Sequence, residues 1–384
     1  MPKVNVNIQP TILNWVLEQT SDDSLGSQLR ASISNWIDGS KTPTFNQIQD
    51  LSKKSHIPLG YFFLKVPPVE SINLLEFRTI DSIQLAKPSR DLIDTIHTME
   101  ERQDWMANYR KEQELDPLSF VGAAENEKDP YKVASAIRKA IGIEETWSMT
   151  ASSIRDAFNS IRAALEGSGV LIMMSGIVGN NTHRPLNIEE FRAFALINKW
   201  APLVFINSAD SQGGKLFSLL HEVAHIWCGQ DDLFNDRQGL STKPLETFCN
   251  AVAAELLVPK SKFSECWEDS RGDIYEKIAS LAMKFHCGET VIARKALDAG
   301  LIGKKNYQKV ADNAIEGFRK EKEKGGSGGN FYATTESRID RSFMRAICDG
   351  ISSGTLSYTD AYRLTDTSRK TFDKVAKELG GVIW

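Results

Sequence analysis

The stretch from Lys215 to Gln230, KLFSLLHEVAHIWCGQ, limits what this chain can fold into more than any other. Leu216, Phe217, Leu219, Leu220, Val223, Ala224, Ile226 and Trp227 make it apolar almost all round, which marks a helix buried inside a domain. Within that run stand His221, Glu222 and His225 in the spacing H-E-x-x-H. Four residues at about 100° each return to within roughly 40° of the start, so both imidazoles leave one face and can reach one ion. Two histidines and a carboxylate are costly in such surroundings unless something satisfies them, and a metal ion does. A hydrolytic zinc site needs two or three nitrogen or oxygen ligands and one open position, with a carboxylate at hand to take a proton from water. The competing reading is a pair of core histidines hydrogen-bonded to backbone.

A second helix is expected over PLETFCNAVAAELLVP, with Pro244 in its first turn and Pro259 at its end. Glu246, on the first turn with Asn250 on the same face, is the best candidate third ligand. Glu255 is the rival, but nine residues at about 100° put it roughly opposite Glu246 on the wheel, so only one of them can face the ion. Before the H-E-x-x-H helix, VLIMMSG, FRAFALI and APLVFINS are short strand-type runs broken by Gly, Asn and Pro. They predict a small three-stranded sheet, in which PLVFIN or FRAFALI would be the edge strand that holds an extended peptide by main-chain hydrogen bonds.

Elsewhere the pattern is helical, so the fold class expected is α+β, mostly helical. Four regions are expected: 1–66, 67–168, 169–310 and 325–384. In the first, Trp36, Gly39 and Pro43 resemble the third-helix end and following turn of a phage-repressor helix-turn-helix whose first half is eroded. Five basic residues (Lys3, Arg30, Lys41, Lys53, Lys54) stand against five acidic ones (Glu18, Asp22, Asp23, Asp38, Asp50) in residues 1–64. Non-specific DNA affinity is almost wholly electrostatic, so a docking or dimerising role ranks slightly above DNA binding there. Residues 331–384 carry eight basic and seven acidic residues and are no better a DNA anchor by charge. The five cysteines are scattered with no C-x-x-C pair, which indicates free thiols; Cys228 and Cys249 read as small buried hydrophobes. His286 beside Cys287 sits at a turn far from the motif, His97 is an isolated helix residue, and Trp105 and Tyr109 are core. No run approaches the roughly 20 apolar residues of a membrane span and the N-terminus lacks signal-peptide features, so the cytoplasm is expected.

These features together resemble the ImmA/IrrE-type zinc metallopeptidases. The resemblance rests on LLHEVAHIW at 219–227 and LETFCNAVAAELLVP at 245–259, which is similar to that family's Glu-x-x-Ala-Asn and the alanine-rich run that follows. PTFNQIQDLSKKSHIPLGYFFLKVPP with INLLEFRT at 72–79, and GGNFYATTESRIDRSF, are similar to the flanking parts of its longer members. The resemblance implies a zincin-like core flanked by helical domains, Zn²⁺ held by His221, His225 and Glu246, and Glu222 as general base. It also implies an endopeptidase that cleaves one partner protein encoded beside it, a repressor or toxin-antitoxin component. The alternative is a non-cleaving antitoxin or transcriptional regulator that uses the same fold as a binding scaffold. His183 and Tyr275 are candidates to stabilise a tetrahedral oxyanion, with neither preferred.

Overall fold

A computed structural model describes residues 4–20, 22–68, 88–230, 232–234, 244–323, 335 and 337–380. The segment 72–79, most of the polar loop 231–243 and the glycine-rich stretch from 324 lie outside the described residues. The chain divides into two compact units, residues 1–96 and 97–384. No helix among the described residues is long and apolar enough to cross a membrane.

The first unit contains α1 (Pro10–Gln19), α2 (Asp22–Ile37) and α3 (Phe45–Ser55), followed by a 3-10 turn at Leu59–Phe63. Gly26, at φ 68°, breaks α2 into two pieces. Thr44 starts α3 with a capping box, in which its hydroxyl accepts from the Gln47 N–H and the Gln47 side chain accepts from the Thr44 N–H. Ile12, Leu13, Val16, Ile33, Ile48, Leu51 and Phe62 meet in a core of its own.

The second unit holds most of α4 (Arg90–Glu112), then α5 (Pro130–Ile141), α6 (Ile154–Ser168), β1 (Leu171–Ser175), β2 (Ala193–Leu196) and β3 (Leu203–Asn207). After these come α7 (Gln212–Cys228), β4 (Asp232–Phe234), α8 (Pro244–Leu257), α9 (Lys260–Asp269), α10 (Ile274–Lys284), α11 (Glu289–Asp298) and α12 (Lys304–Glu323). The last three helices are α13 (Arg341–Ser352), α14 (Tyr358–Leu364) and α15 (Arg369–Leu379). The architecture is α+β and mostly helical, as the pattern predicts.

All three expected strands form, and a fourth joins them, giving the order β1-β3-β2-β4. β1 runs parallel to β3 with Leu171 opposite Leu203, and β2 runs antiparallel to β3 with Ala193 opposite Ile206. β4 pairs antiparallel with β2, Ala193 opposite Phe234. Its three residues carry no strand pattern, and pairing with β2 alone makes them a strand. This overturns the expectation for the edge: FRAFALI and PLVFIN are interior strands, and the edges are β1 and β4. The outer side of β1 is already taken, because the Asp340 carboxylate accepts the Ile172 N–H at 2.9 Å and Arg162 donates to the Ile172 carbonyl at 3.2 Å.

Helix α7 is the axis of the core. Every residue from Ser218 to Cys228 is buried, as an all-round apolar helix demands. Its start is capped by Ser211, whose hydroxyl accepts from the Gly214 N–H at 3.0 Å. Its end turns at Gly229, at φ 73°, where a Cβ would stand 3.0 Å from the Gly122 Cα. The last carbonyls of α7 accept from the N–H groups of Gly122 and Ala124 at 3.0 and 2.8 Å, so this buried helix end is satisfied. Helix α8 ends the same way. Trp147 Nε1 donates to the Leu256 carbonyl and the Ser148 hydroxyl to that of Leu257, each at 2.9 Å. Val133, Ile137, Phe158 and Ile161 of α5 and α6 share one core with Leu219, Val223, Val252 and Leu256 of α7 and α8.

Candidate metal centre

Helices α7 and α8 pack together so that three side chains from two distant parts of the sequence meet. His221 and His225 stand one turn apart on α7, both fully buried, with their Nε2 atoms 3.0 Å from each other and their rings 4.8 Å apart at the centroids. Glu246, on the first turn of α8, brings Oε2 to 3.4 Å from His221 Nε2 and Oε1 to 3.4 Å from His225 Nε2. Its carboxylate is 13 % exposed, the most open of the three. Zinc bonded at roughly 2.0–2.1 Å in a tetrahedron sets its ligand atoms roughly 3.3–3.4 Å apart, and each imidazole nitrogen stands at about that distance from one of the two Glu246 oxygens, so the three residues are grouped closely enough to hold one ion. The donor set of two imidazoles and one carboxylate is of the hydrolytic type, which leaves a position for water. Among the described residues, this is the group of His, Cys, Asp and Glu side chains close enough to hold an ion.

Electrostatics favour the ligand form of the histidines. Burial pushes the His221 imidazole below its ordinary pKa, against the pull of the Glu246 carboxylate. The neutral ring keeps a lone pair for a metal. Asn250, one turn past Glu246, makes a side-chain hydrogen bond with His221, which ties the imidazole to α8. Glu222 is fully buried next to His221, and with Glu246 it lies near enough to Cys249 to raise that thiol's pKa, behind the larger effects of the Cys228 contact and burial.

Glu255 lies elsewhere. It pairs with Lys295 at 2.5 Å and accepts the Lys260 N–H at 3.1 Å with each oxygen, so it neutralises a half-buried ammonium and caps α9. Cys228 and Cys249 are buried and hydrogen-bond to each other, one turn past His225 and Glu246 respectively. His286 Nδ1 contacts the Ser148 carbonyl at 2.9 Å, away from the cluster. The Tyr275 hydroxyl donates to Asn306 at 3.4 Å, and His183 is exposed on the loop after β1. His97 is half-buried on α4.

Sequence reading did not anticipate a groove of about 380 Å³ that opens along the same two helices. Phe217 and Ser218, one turn before His221, and Thr247, Asn250 and Ala251 on α8 form its floor. Its far wall is α12, through Ile315 and Phe318. The charged run with Lys304, Lys305 and Lys309 reads by sequence as a flexible linker or loop tip, whereas the structure makes it helix α12, and its position opposite α8 is a tertiary fact.

Comparison with known proteins agrees with this class of site. Residues 166–297, from the end of α6 into α11, match the family model of the IrrE N-terminal-like domain, a metallopeptidase-like domain. Residues 339–378, which span α13 to α15, match the model of a domain of unknown function. No curated protein matches the chain.

Proposed function

We propose that this protein is a zinc-dependent endopeptidase that cuts one partner protein, the product of an adjacent gene such as a repressor or a toxin-antitoxin component. The observation that carries the reading is the convergence of His221, His225 and Glu246 donor atoms at 3.0–3.4 Å within a buried helix pair. These three residues would hold the ion. Zinc, when bound, supplies Lewis acidity that polarises a carbonyl and lets water give up a proton near neutral pH. Glu222 takes that proton and passes it to the leaving amine nitrogen, the role a carboxylate beside a first histidine suits. The edge of β4 is the sheet edge that remains for an extended substrate segment among the described residues, since that of β1 is occupied by Asp340 and Arg162. The helical regions on either side would choose the partner, and the region at 1–66 would act by docking more than by gripping DNA.

The test is to incubate the zinc-loaded protein with the products of neighbouring genes and read fragments by intact mass. A discrete cut that falls by about 10²–10⁴-fold in Glu222→Gln, with zinc content unchanged, is the expected result. A stable uncut complex would instead favour the scaffold reading. Full cleavage by the Glu222→Gln variant would show that Glu222 is not the general base.

A further inference from the structure

We infer that the groove beside the cluster is a specificity subsite that takes one large side chain of the substrate, apolar along its body and polar at its tip, with tyrosine the best fit. This subsite presupposes that the protein is a peptidase.

Position comes first. The floor residues lie one helical turn from a ligand on each of two helices, Ser218 before His221 on α7 and Asn250 after Glu246 on α8. The Phe217 ring centroid is 6.5 Å from that of His221. Successive Cα atoms of a chain are about 3.8 Å apart, so a residue whose carbonyl lies at the cluster sends its own or its neighbour's side chain into the groove.

The chemistry of the walls selects the occupant. Phe217, Ala251, Ala254, Val291, Ile315 and Phe318 line the groove with carbon. The charges inside it are matched, Arg192 with Asp210 at 2.7 Å and Arg294 with Asp298 at 3.0 Å, so a charged side chain finds no unbalanced counter-charge there. Glu189, Glu289 and Arg319 are exposed at the rim, where water screens them. Its volume lies at the small end of the range for ligand sites, about 300–1,000 Å³. Ala251 and Ala254, where larger residues would fill it, keep it open.

A polar atom at the floor supplies the second, independent indication. The Ser218 hydroxyl is buried and has no hydrogen-bond partner among the described residues. A buried hydroxyl left in that state is costly, even in a floor it shares with the polar side chains of Thr247 and Asn250. A phenol entering tip-first completes it, whereas phenylalanine fills the groove and leaves the hydroxyl as it is.

The test uses binding rather than cleavage. Glycine, phenylalanine and tyrosine hydroxamates are titrated calorimetrically into the zinc-loaded full chain. Phenylalanine hydroxamate should bind on the order of tenfold or more tightly than glycine hydroxamate, and tyrosine hydroxamate several-fold more tightly again. Ala251→Phe, at an exposed position, should abolish the advantage of the aromatic probes while zinc content and the glycine probe are unchanged. Ser218→Ala should equalise tyrosine and phenylalanine. Equal binding of all three probes, binding of none, or an aromatic preference that survives Ala251→Phe overturns the inference. Cleavage of a proteome-derived peptide library separates the two readings. Cuts without an aromatic position overturn the subsite and leave the peptidase, whereas discriminating hydroxamates with no cut anywhere overturn the peptidase and leave the groove as an aromatic-binding site of a non-cleaving protein.

Discussion

At the scale of single residues, two glutamates on one helix have different partners. Glu246 and Glu255 sit on α8 roughly half a turn apart in phase, and the phase alone sends one to His221 and His225 and the other to Lys295. Glu246→Gln should weaken zinc affinity by more than roughly 100-fold, beyond what loss of an outer hydrogen bond costs, with little change in the fold of the metal-free protein. Competition titration against a chromophoric chelator measures it. Glu255→Gln should do the reverse: zinc affinity stays, but the Lys295 ammonium loses its counter-charge and stability falls by about 3 kcal/mol in denaturant unfolding. A loss of zinc in Glu255→Gln would show that the helical phase has been misassigned. The wheel made this division visible in advance, because helical phase is a local property. Which of the two phases faced α7 was not local, and the distances settled it.

At the scale of elements, the helix ends decide how the site is held. Gly229 lets α7 stop in a left-handed turn against Gly122, and Gly229→Ala should cost about 1–3 kcal/mol because the added Cβ meets both the backbone strain and the neighbouring chain. Thermal unfolding reads this directly, and a neutral outcome would mean that the two segments separate freely. Asp340 joins two elements at once, capping α13 at Phe343 N and closing the outer side of β1 at Ile172 N. Asp340→Ala therefore strands a cap and a strand N–H together, with an expected loss of about 2–3 kcal/mol. Hydrogen exchange at Ile172 should accelerate in the same variant, and unchanged protection there would rule out the link between β1 and the C-terminal helices. Three strands and the helices flanking them were legible because their periodicities were. The fourth strand was not, since three residues without alternation become a strand only by pairing with β2.

At the scale of the whole molecule, a buried cluster of three residues that could hold a metal makes stability a readout of the ion. Zinc at a thousandfold excess over its dissociation constant should stabilise the folded state by about 4 kcal/mol, and a chelator should lower the melting temperature by several degrees. Equal melting temperatures with zinc and with chelator would mean that the cluster holds no ion in the folded chain. What the sequence alone determined is the chemistry available and most of its local geometry. H-E-x-x-H on an apolar helix sets two imidazoles on one face with a carboxylate beside them, and the proline-bounded alanine-rich helix carries a candidate third ligand on its first turn. Both follow from the 3.6-residue repeat. Tertiary structure alone decided which strands became edges, that α5 and α6 share one core with α7 and α8, and that α12 faces α8 across a groove whose Ser218 hydroxyl has no partner among the described residues. These depend on contacts between residues far apart in the chain, where burial and close packing choose among arrangements that local periodicity leaves equal.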